Sequence, residues 1–500
     1  MDNKIICGDC LDAVKRIRFP VDFIYMDPPF TGNETYTDIW EKNDEELSYH
    51  DHWEAGVLGY CDWLKKRVEV LYEVLKETGV MCVHCDWHAN AYIRVNVLDE
   101  IFPKRNFINE IIVRRKIYSK GSQFDPRSLP NLYDTILVYS KSKDYLFNKD
   151  AVLIKRTQEE LEDLYPLIDE KGRHHIKGIL RNKSMCERQK LVYEYKGFTP
   201  DKWGWAVKKD KLIEIDNRGD LIFDKNGTPK RKKRIWEDRG VSIGNIWDDV
   251  NKFKSGEKLG YPTQKPEVLL ERLIKIFTNE HETVLDPFVG SGTTCVASAR
   301  LKRNFIGIDL YKKSIEVTND RLSSLTTDSN NPYFEFEVIV PKTIEELKSA
   351  HWLYVQDWVN ERLGAYSGKK GRDGGQDGST SHEITNVFDI ARKEVVDVPK
   401  GSLIQVKHYV DSPLGIPILK EFETSIRDHK KNVGILVGWR FSTPEALSFS
   451  IKREKDGIKI YLVTIEWLHG QPILSGPRQE VISIKQTRIK QTMTTTEEIE

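Results

Sequence analysis

Short apolar runs alternate with amphipathic stretches through the first 148 residues. Lys4 to Cys7, Val21 to Tyr25 and Val80 to Cys85 carry too few polar positions for a half-exposed strand and read as strands buried on both faces. Between them, residues 11–17, 60–77 and 89–101 read as helices. In the second of these, Leu64, Val68, Leu71 and Leu75 fall on one face, and Gly79 is placed to close it. Asn109 to Val113 and Thr135 to Tyr139 add two strands, so residues 1–148 predict a βα array, half of a doubly wound sheet. Residues 31–52, with Tyr36, Trp40 and Tyr49, read as a mobile loop. Periodicity lapses over 149–250, which is charged and aromatic, and resumes at Pro266, placed for the first helical position. Leu270, Leu273, Ile274 and Phe277 then form an i, i+3, i+4, i+7 stripe, with strands at 283–285 and 305–308 beyond it.

Composition narrows the class. The chain has 500 residues and is 39% hydrophobic, which gives room for roughly two to four domains. Lys+Arg and Asp+Glu are both 77, so a nucleic-acid surface, if present, is local rather than global. The run Lys230 to Arg234, interleaved with Tyr193, Tyr195, Trp203 and Trp205, suits contacts to phosphates and bases. No apolar run approaches a membrane span, and the seven cysteines form no disulfide framework, so a cytoplasmic setting is expected. Cys7/Cys10 and Cys82/Cys85 have zinc-like spacing, but they sit in or beside core strands and read as ordinary buried thiols.

Two corners carry chemistry. Asp27-Pro28-Pro29-Phe30 follows the Val21–Tyr25 run, and the prolines end that strand. The Asp27 carboxylate and the Pro28 carbonyl are adjacent acceptors suited to an amino group, with Phe30 able to stack on the ring bearing it. The second corner is Asp286-Pro287-Phe288-Val289-Gly290-Ser291-Gly292-Thr293, a strand, glycine turn and helix start. It lacks the third glycine of a dinucleotide fingerprint and the lysine of a P-loop. Asp309 ends the next strand, 17 residues past Gly292, where a carboxylate can take both ribose hydroxyls of a nucleoside.

Together these segments resemble the amino-group DNA methyltransferases of the permuted β class, over about residues 1–325. His84-Cys85-Asp86, the strand Asp134 to Lys141 and Tyr261-Pro262-Thr263-Gln264-Lys265-Pro266 share in the resemblance. It implies a Rossmann-like α/β fold, S-adenosyl-L-methionine as cofactor and double-stranded DNA as partner. Asp27, Pro28, Pro29 and Phe30 would handle a base flipped from the duplex. Asp286, Phe288, Gly290, Gly292, Thr293 and Asp309 would hold the cofactor, with Thr263 and Lys265 as candidates for its carboxylate. Asp as first letter of the catalytic motif favours adenine N6 over cytosine N4. A homodimer is kept open.

The C-terminal third brings a second pattern. After a helix over 347–363, Gly371 to Gly378 is a glycine-rich turn, and Leu403 to Tyr409 reads as a strand with Gln405 and Lys407 on one side. Asp377 with Gln405 could hold a divalent metal, and Lys407 could orient an attacking water. These residues resemble the Mrr-like branch of the PD-(D/E)xK nucleases, which implies Mg²⁺ and an α/β endonuclease domain. Gln405 stands where the usual pattern has an acid, and Asp357 or Glu361 is expected to supply a further ligand. The expected domains are a catalytic half 1–148, a target-recognition region 149–250, a cofactor half 251–325, a linker or edge strand 326–345, a nuclease domain 346–475 and a polar tail 476–500. A restriction–modification chain is the reading; an orphan methyltransferase with a DNA-binding C-terminus is the alternative.

Overall fold

The computed structural model describes residues 3–29, 56–115, 131–182, 186–261, 263–327, 334–367, 377–381 and 384–471, and the backbone of a hairpin, Thr35–Ile39 with Glu46–His50. The chain divides into two compact units: Met1–Leu146 with Asp248–Glu500, and Phe147–Trp247.

In the first unit the apolar runs become strands of one sheet: β1 (Lys4–Cys7), β2 (Val21–Met26), β3 (Leu75–Cys85), β4 (Phe107–Arg114), β5 (Tyr133–Ser140), β6 (Thr283–Asp286), β7 (Asn304–Asp309) and β8 (Glu337–Ile339). They lie in the order β4-β5-β3-β2-β6-β7-β1-β8. From β3 to β8 the neighbours are parallel, and β5 is antiparallel to both β3 and β4. Every residue of β2 and β6 is buried, including the polar Asp22, Thr283 and Asp286 among their apolar neighbours. Val284 pairs with Phe23 and Leu285 with Ile24, so the two strands end side by side.

Helices cover the faces: α1 (Gly56–Val74), α2 (Glu267–Phe277), α3 (Thr293–Arg300) and α4 (Lys312–Thr326). Helix α1 ends earlier than its pattern predicted, because Leu75 is taken into the sheet opposite Val21. Gly79 is therefore a strand residue rather than a helix stop, at a point where a Cβ would come within 2.5 Å of the Leu75 side chain. Pro266 is the N-cap of α2, one position before the first helical residue. Residues 31–52, expected as a loop, contain the antiparallel hairpin Thr35–Ile39 with Glu46–His50.

Residues after 340 share a hydrophobic core with this sheet. Val289, Phe305, Ile315 and Leu322 join Tyr354, Val355, Val359 and Val437 in one buried cluster. The predicted helix 347–363 is two: Ile344–Ser349, and α5 (Trp352–Arg362), which is capped by His351. A second sheet follows, made of β9 (Ala365–Ser367), β10 (Gly378–Thr380), β11 (Leu403–Lys407), β12 (Val433–Gly438) and β13 (Lys459–Thr464), in that order.

The unit Phe147–Trp247 has its own small core of Ile179, Trp205, Leu212 and Ile215. Its main sheet pairs Gly172–Gly178 with Pro229–Arg234. The basic run thus forms a strand, not a free cationic patch. Lys230 faces Asp224, Arg231 faces Glu237, Lys232 faces Asp169, Lys233 faces Asp238, and Arg234 faces both Asp169 and Asp220. Five cations meet five carboxylates, so the charge of this run is matched within the unit.

Candidate functional site

Both predicted corners line one pocket, whose empty space, open solvent included, is about 380 Å³. Asp27 leaves the carboxyl end of β2 and Asp286 ends the neighbouring β6. This is the edge where open α/β sheets bind ligands. Asp27, Thr263, Lys265, Asp286, Phe288, Gly290 and Thr293 all line the cavity, together with Tyr25 and Tyr261.

The glycine bend has the backbone its sequence suggested. Gly290 and Gly292 take φ of 51° and 81°, conformations that cost an L side chain strain. The Gly290 amide donates to Asp309 Oδ2 at 2.8 Å, and the Tyr311 amide to Asp309 Oδ1 at 2.9 Å, so β7's terminal carboxylate braces the bend. Arg321, which sequence reading passed over, donates to the Ser291 carbonyl at 2.6 Å and pairs with Glu267 at 3.0 Å, tying α4 and α2 to the same bend. Burial pushes the Asp286 carboxyl up to about 7, against the opposing hydrogen bonds from Thr294 Oγ1 and the Phe288 amide.

The acidic corner is partly satisfied. Asp27 Oδ2 accepts a hydrogen bond from Lys265 Nζ, whereas Asp27 Oδ1 is buried without a hydrogen-bond partner among the described residues. Pro28 is buried and Pro29 exposed. Phe30 lies outside the described residues, as does Pro262.

Behind the corner stands a polar group that sequence flagged only as family-like segments. The Tyr25 hydroxyl is 2.7 Å from His84 Nδ1, and His84 Nε2 is 3.5 Å from Asp134 Oδ2. Burial alone would raise the Asp134 carboxyl, but the His84 hydrogen bond and the charges of His84, Lys265 and Arg115 hold it below its usual range. The C-x-x-C cysteines are buried thiols, each raised by burial.

At the second sheet, Gly378 pairs with Ile404, which sets Asp377 opposite Gln405. The Asp377 amide donates to the Ile404 carbonyl at 2.9 Å, and Asp377 Oδ2 accepts from the Val406 amide at 2.6 Å. Buried Gln356 and Asn360, one turn apart on α5, donate to the Asp377 carbonyl. Gln405 is 2% exposed, and its Oε1 has no hydrogen-bond partner among the described residues. Lys407, on the same side of β11, is 3.1 Å from Glu421. Of the two acids expected to add a ligand, Glu361 turns instead to Lys312 of α4. Among the described residues no group of three His, Cys, Asp or Glu is placed to hold a metal, so the donors here are one carboxylate and one amide oxygen. The glycine turn before Asp377, residues 371–376, lies outside the described residues.

A family model described as DNA methylase matches residues 21–320. The chain is 31% identical over 315 residues to the type II methyltransferase M.EcaI of Enterobacter cloacae, covering 62% of this chain and 67% of that protein. It is 44% identical over 329 residues to M.HpaI of Haemophilus parainfluenzae, covering 65% and 75%. It is 26% identical to the probable type III HindVI Mod subunit of Haemophilus influenzae, of which it spans only 48%. A solved putative DNA modification methylase of Thermus thermophilus, complexed with S-adenosyl-L-methionine, aligns at 17% identity with a TM-score of 0.36, over 68% of this chain and 99% of its own. No helix among the described residues is long and apolar enough to cross a membrane.

Proposed function

Since this chain belongs to the DNA methylase family, whose model spans 300 of its 500 residues, we propose that it methylates adenine N6 in double-stranded DNA, using S-adenosyl-L-methionine. The observation that carries the reading is Asp27 Oδ1, a buried acceptor without a donor among the described residues, in the cavity that also holds Asp286 and the glycine bend. Buried polar groups are ordinarily satisfied, so an open one at a cavity points to a ligand that brings a hydrogen.

When bound, the cofactor supplies an electrophilic methyl group on a sulfonium. Asp27 and the Pro28 carbonyl accept the two amine hydrogens of an extruded adenine and turn its nitrogen lone pair toward that methyl. Asp286 would offer a carboxylate to the cofactor's positive end, and Asp309, which braces the glycine bend, would accept from its ribose hydroxyls. Direct transfer requires no covalent enzyme intermediate, which agrees with thiols that burial keeps protonated. We assign target reading to the inserted unit Phe147–Trp247. Sequencing DNA from a host that expresses the protein, with modified bases identified, tests the reading. N6-methyladenine at one motif, lost with Asp27→Ala, supports it; N4-methylcytosine there would move the assignment to the other base.

For residues 346–475 we propose a Mg²⁺-dependent endonuclease that makes the whole a restriction–modification chain. Asp377 and Gln405 would hold the ion, and Lys407 would orient the attacking water. That Asp377 is the one carboxylate placed there among the described residues favours a second reading, a domain that binds DNA without cutting it. Digestion of methylated and unmethylated plasmid with Mg²⁺ separates the two. Because the chain must spare the DNA it has methylated itself, cleavage is expected on unmethylated sites or on a different modification.

A further inference from the structure

Lys265 occupies a position that the carboxylate-binding expectation does not account for. Its ammonium is hydrogen-bonded to Asp27 Oδ2, across 238 residues of sequence, and it is the one cation among the described residues lining the cavity. The backbone that presents it is fixed on both sides. Gln264, 7% exposed, donates to the Glu257 carbonyl at 2.8 Å and accepts from the Leu259 amide at 2.9 Å. On the other side Pro266 caps α2, and the Glu267 amide donates to Glu257 Oε1 at 2.6 Å. The lysine therefore projects from a built loop rather than a loose one.

A carboxylate on a proline corner has two oxygens and free rotation about its last bond. If nothing held one oxygen, both would compete for the incoming amine, and the acceptor direction would wander. Here one oxygen is held and the other is buried with no hydrogen-bond partner among the described residues. We propose that Lys265 is the positioning residue of the methyl-transfer site, clamping Asp27 through Oδ2 so that Oδ1 faces the target amine. The inference rests on Asp27 being the amine acceptor. It makes the Tyr261–Pro266 segment part of the amine-activating apparatus and not solely a cofactor cradle. The clamp can stay in place through the reaction, because the amine needs only the open oxygen.

The test compares Lys265→Met and Lys265→Arg with the wild-type full chain. Methyl transfer to unmethylated plasmid DNA gives kcat at saturating S-adenosyl-L-methionine. Titration calorimetry gives Kd for S-adenosylhomocysteine, which carries the amino-acid carboxylate, and for 5′-methylthioadenosine, which does not. The clamp predicts that Lys265→Met lowers kcat on the order of 100-fold, the usual penalty for a misplaced reacting group, while S-adenosylhomocysteine binds within about threefold of wild type. Unchanged binding also shows that the variant is folded. Lys265→Arg, which can still reach the carboxylate, recovers part of the rate. On an Asp27→Ala background the Lys265→Met change should cost nothing more. A Lys265→Met protein that keeps its kcat within about tenfold at saturating cofactor overturns the proposal. So does a full additional loss on the Asp27→Ala background. Weakened S-adenosylhomocysteine binding with unchanged 5′-methylthioadenosine binding and retained kcat assigns the lysine to the cofactor carboxylate instead. If Asp27→Ala alone keeps full activity, the amine-acceptor assignment fails first, and that result is distinct from any behaviour of Lys265.

Discussion

The Thr294 hydroxyl donates to the Asp286 carboxylate at 2.5 Å, at the buried end of β6 where it lines the cavity. Burial raises that acid from 3.8 to about 7, with Asp27 and Asp309 adding like charge. A cationic ligand favours the ionised form and should pull the value down again. Cofactor binding is therefore expected to weaken as pH falls below about 7, approaching tenfold per unit, and to release up to one proton near neutrality. Stability carries the opposite sign. The raised folded value means that the native state holds this proton more tightly than the unfolded chain. That contribution is complete below about 3.8 and is lost as pH rises toward about 7. Calorimetry in buffers of different ionisation enthalpy measures the proton release, and Asp286→Asn should abolish it.

Gly292 is the least replaceable residue of the bend. Its φ of 81° disfavours any side chain, and a Cβ would stand 2.7 Å from Thr318 Oγ1 and 2.8 Å from Thr318 Cγ2. Gly292→Ala should destabilise the protein by about 1–3 kcal/mol and weaken cofactor binding. Adding Thr318→Ala removes the two nearest contacts but leaves that residue's Cβ at 3.0 Å and the backbone strain, so thermal stability should recover only in part. Full recovery would show that φ is not the constraint.

The paired basic strand makes a sharper claim about DNA. Lys232 already has Asp169 at 2.7 Å, and Lys230 has Asp224 at 3.0 Å. Removing a phosphate contact reduces the salt slope of DNA binding by about one. Lys230→Ala and Lys232→Ala should leave that slope unchanged. The role of this strand is structural: Arg234 and Asp220 are each 1% exposed and 2.6 Å apart. Asp220→Ala leaves the guanidinium buried with half its charge partners, and it should destabilise the unit Phe147–Trp247 by about 3–5 kcal/mol. Thermal unfolding and salt-dependent DNA titration of the same variants separate the two roles.

That strand also shows where sequence reading stops. Five consecutive cations announce charge, but not which acids will face them, and Asp169 lies 65 residues from Arg234. The Lys265–Asp27 contact is hidden for the same reason, because only closure of β2 against β6 and the packing of the segment before α2 bring the two together. What was legible depended on local pattern. The runs ending in Asp27 and Asp286 are mostly apolar because both faces of those strands are covered, with Asp22 and Thr283 as buried exceptions. Gly290 and Gly292 sit where φ is positive. Helix α1 was misjudged at its end because Leu75 suits a helix face as well as it suits a strand, and only its pairing with Val21 decides. Glu361 had the right chemistry for a metal ligand, but Lys312 competes for it from another element.

The second sheet gives the last prediction. Lys407 touches Glu421, itself 57% exposed, so losing that pair should change stability by no more than about 1 kcal/mol. Lys407→Ala should nevertheless abolish Mg²⁺-dependent cleavage of plasmid DNA and leave methylation at the wild-type rate. Loss of both activities would point to a shared structural fault instead. Gln405 supplies the more telling variant. Its Oε1 is buried and, among the described residues, unpartnered opposite Asp377, so Gln405→Glu places a second carboxylate where the ion would sit. An ion-binding site should then reach half-maximal cleavage at lower Mg²⁺, because each added carboxylate strengthens an oxygen site. A domain that only binds DNA has no ion to repay a second buried charge. There the same change should lower thermal stability, with Mg²⁺ restoring none of it.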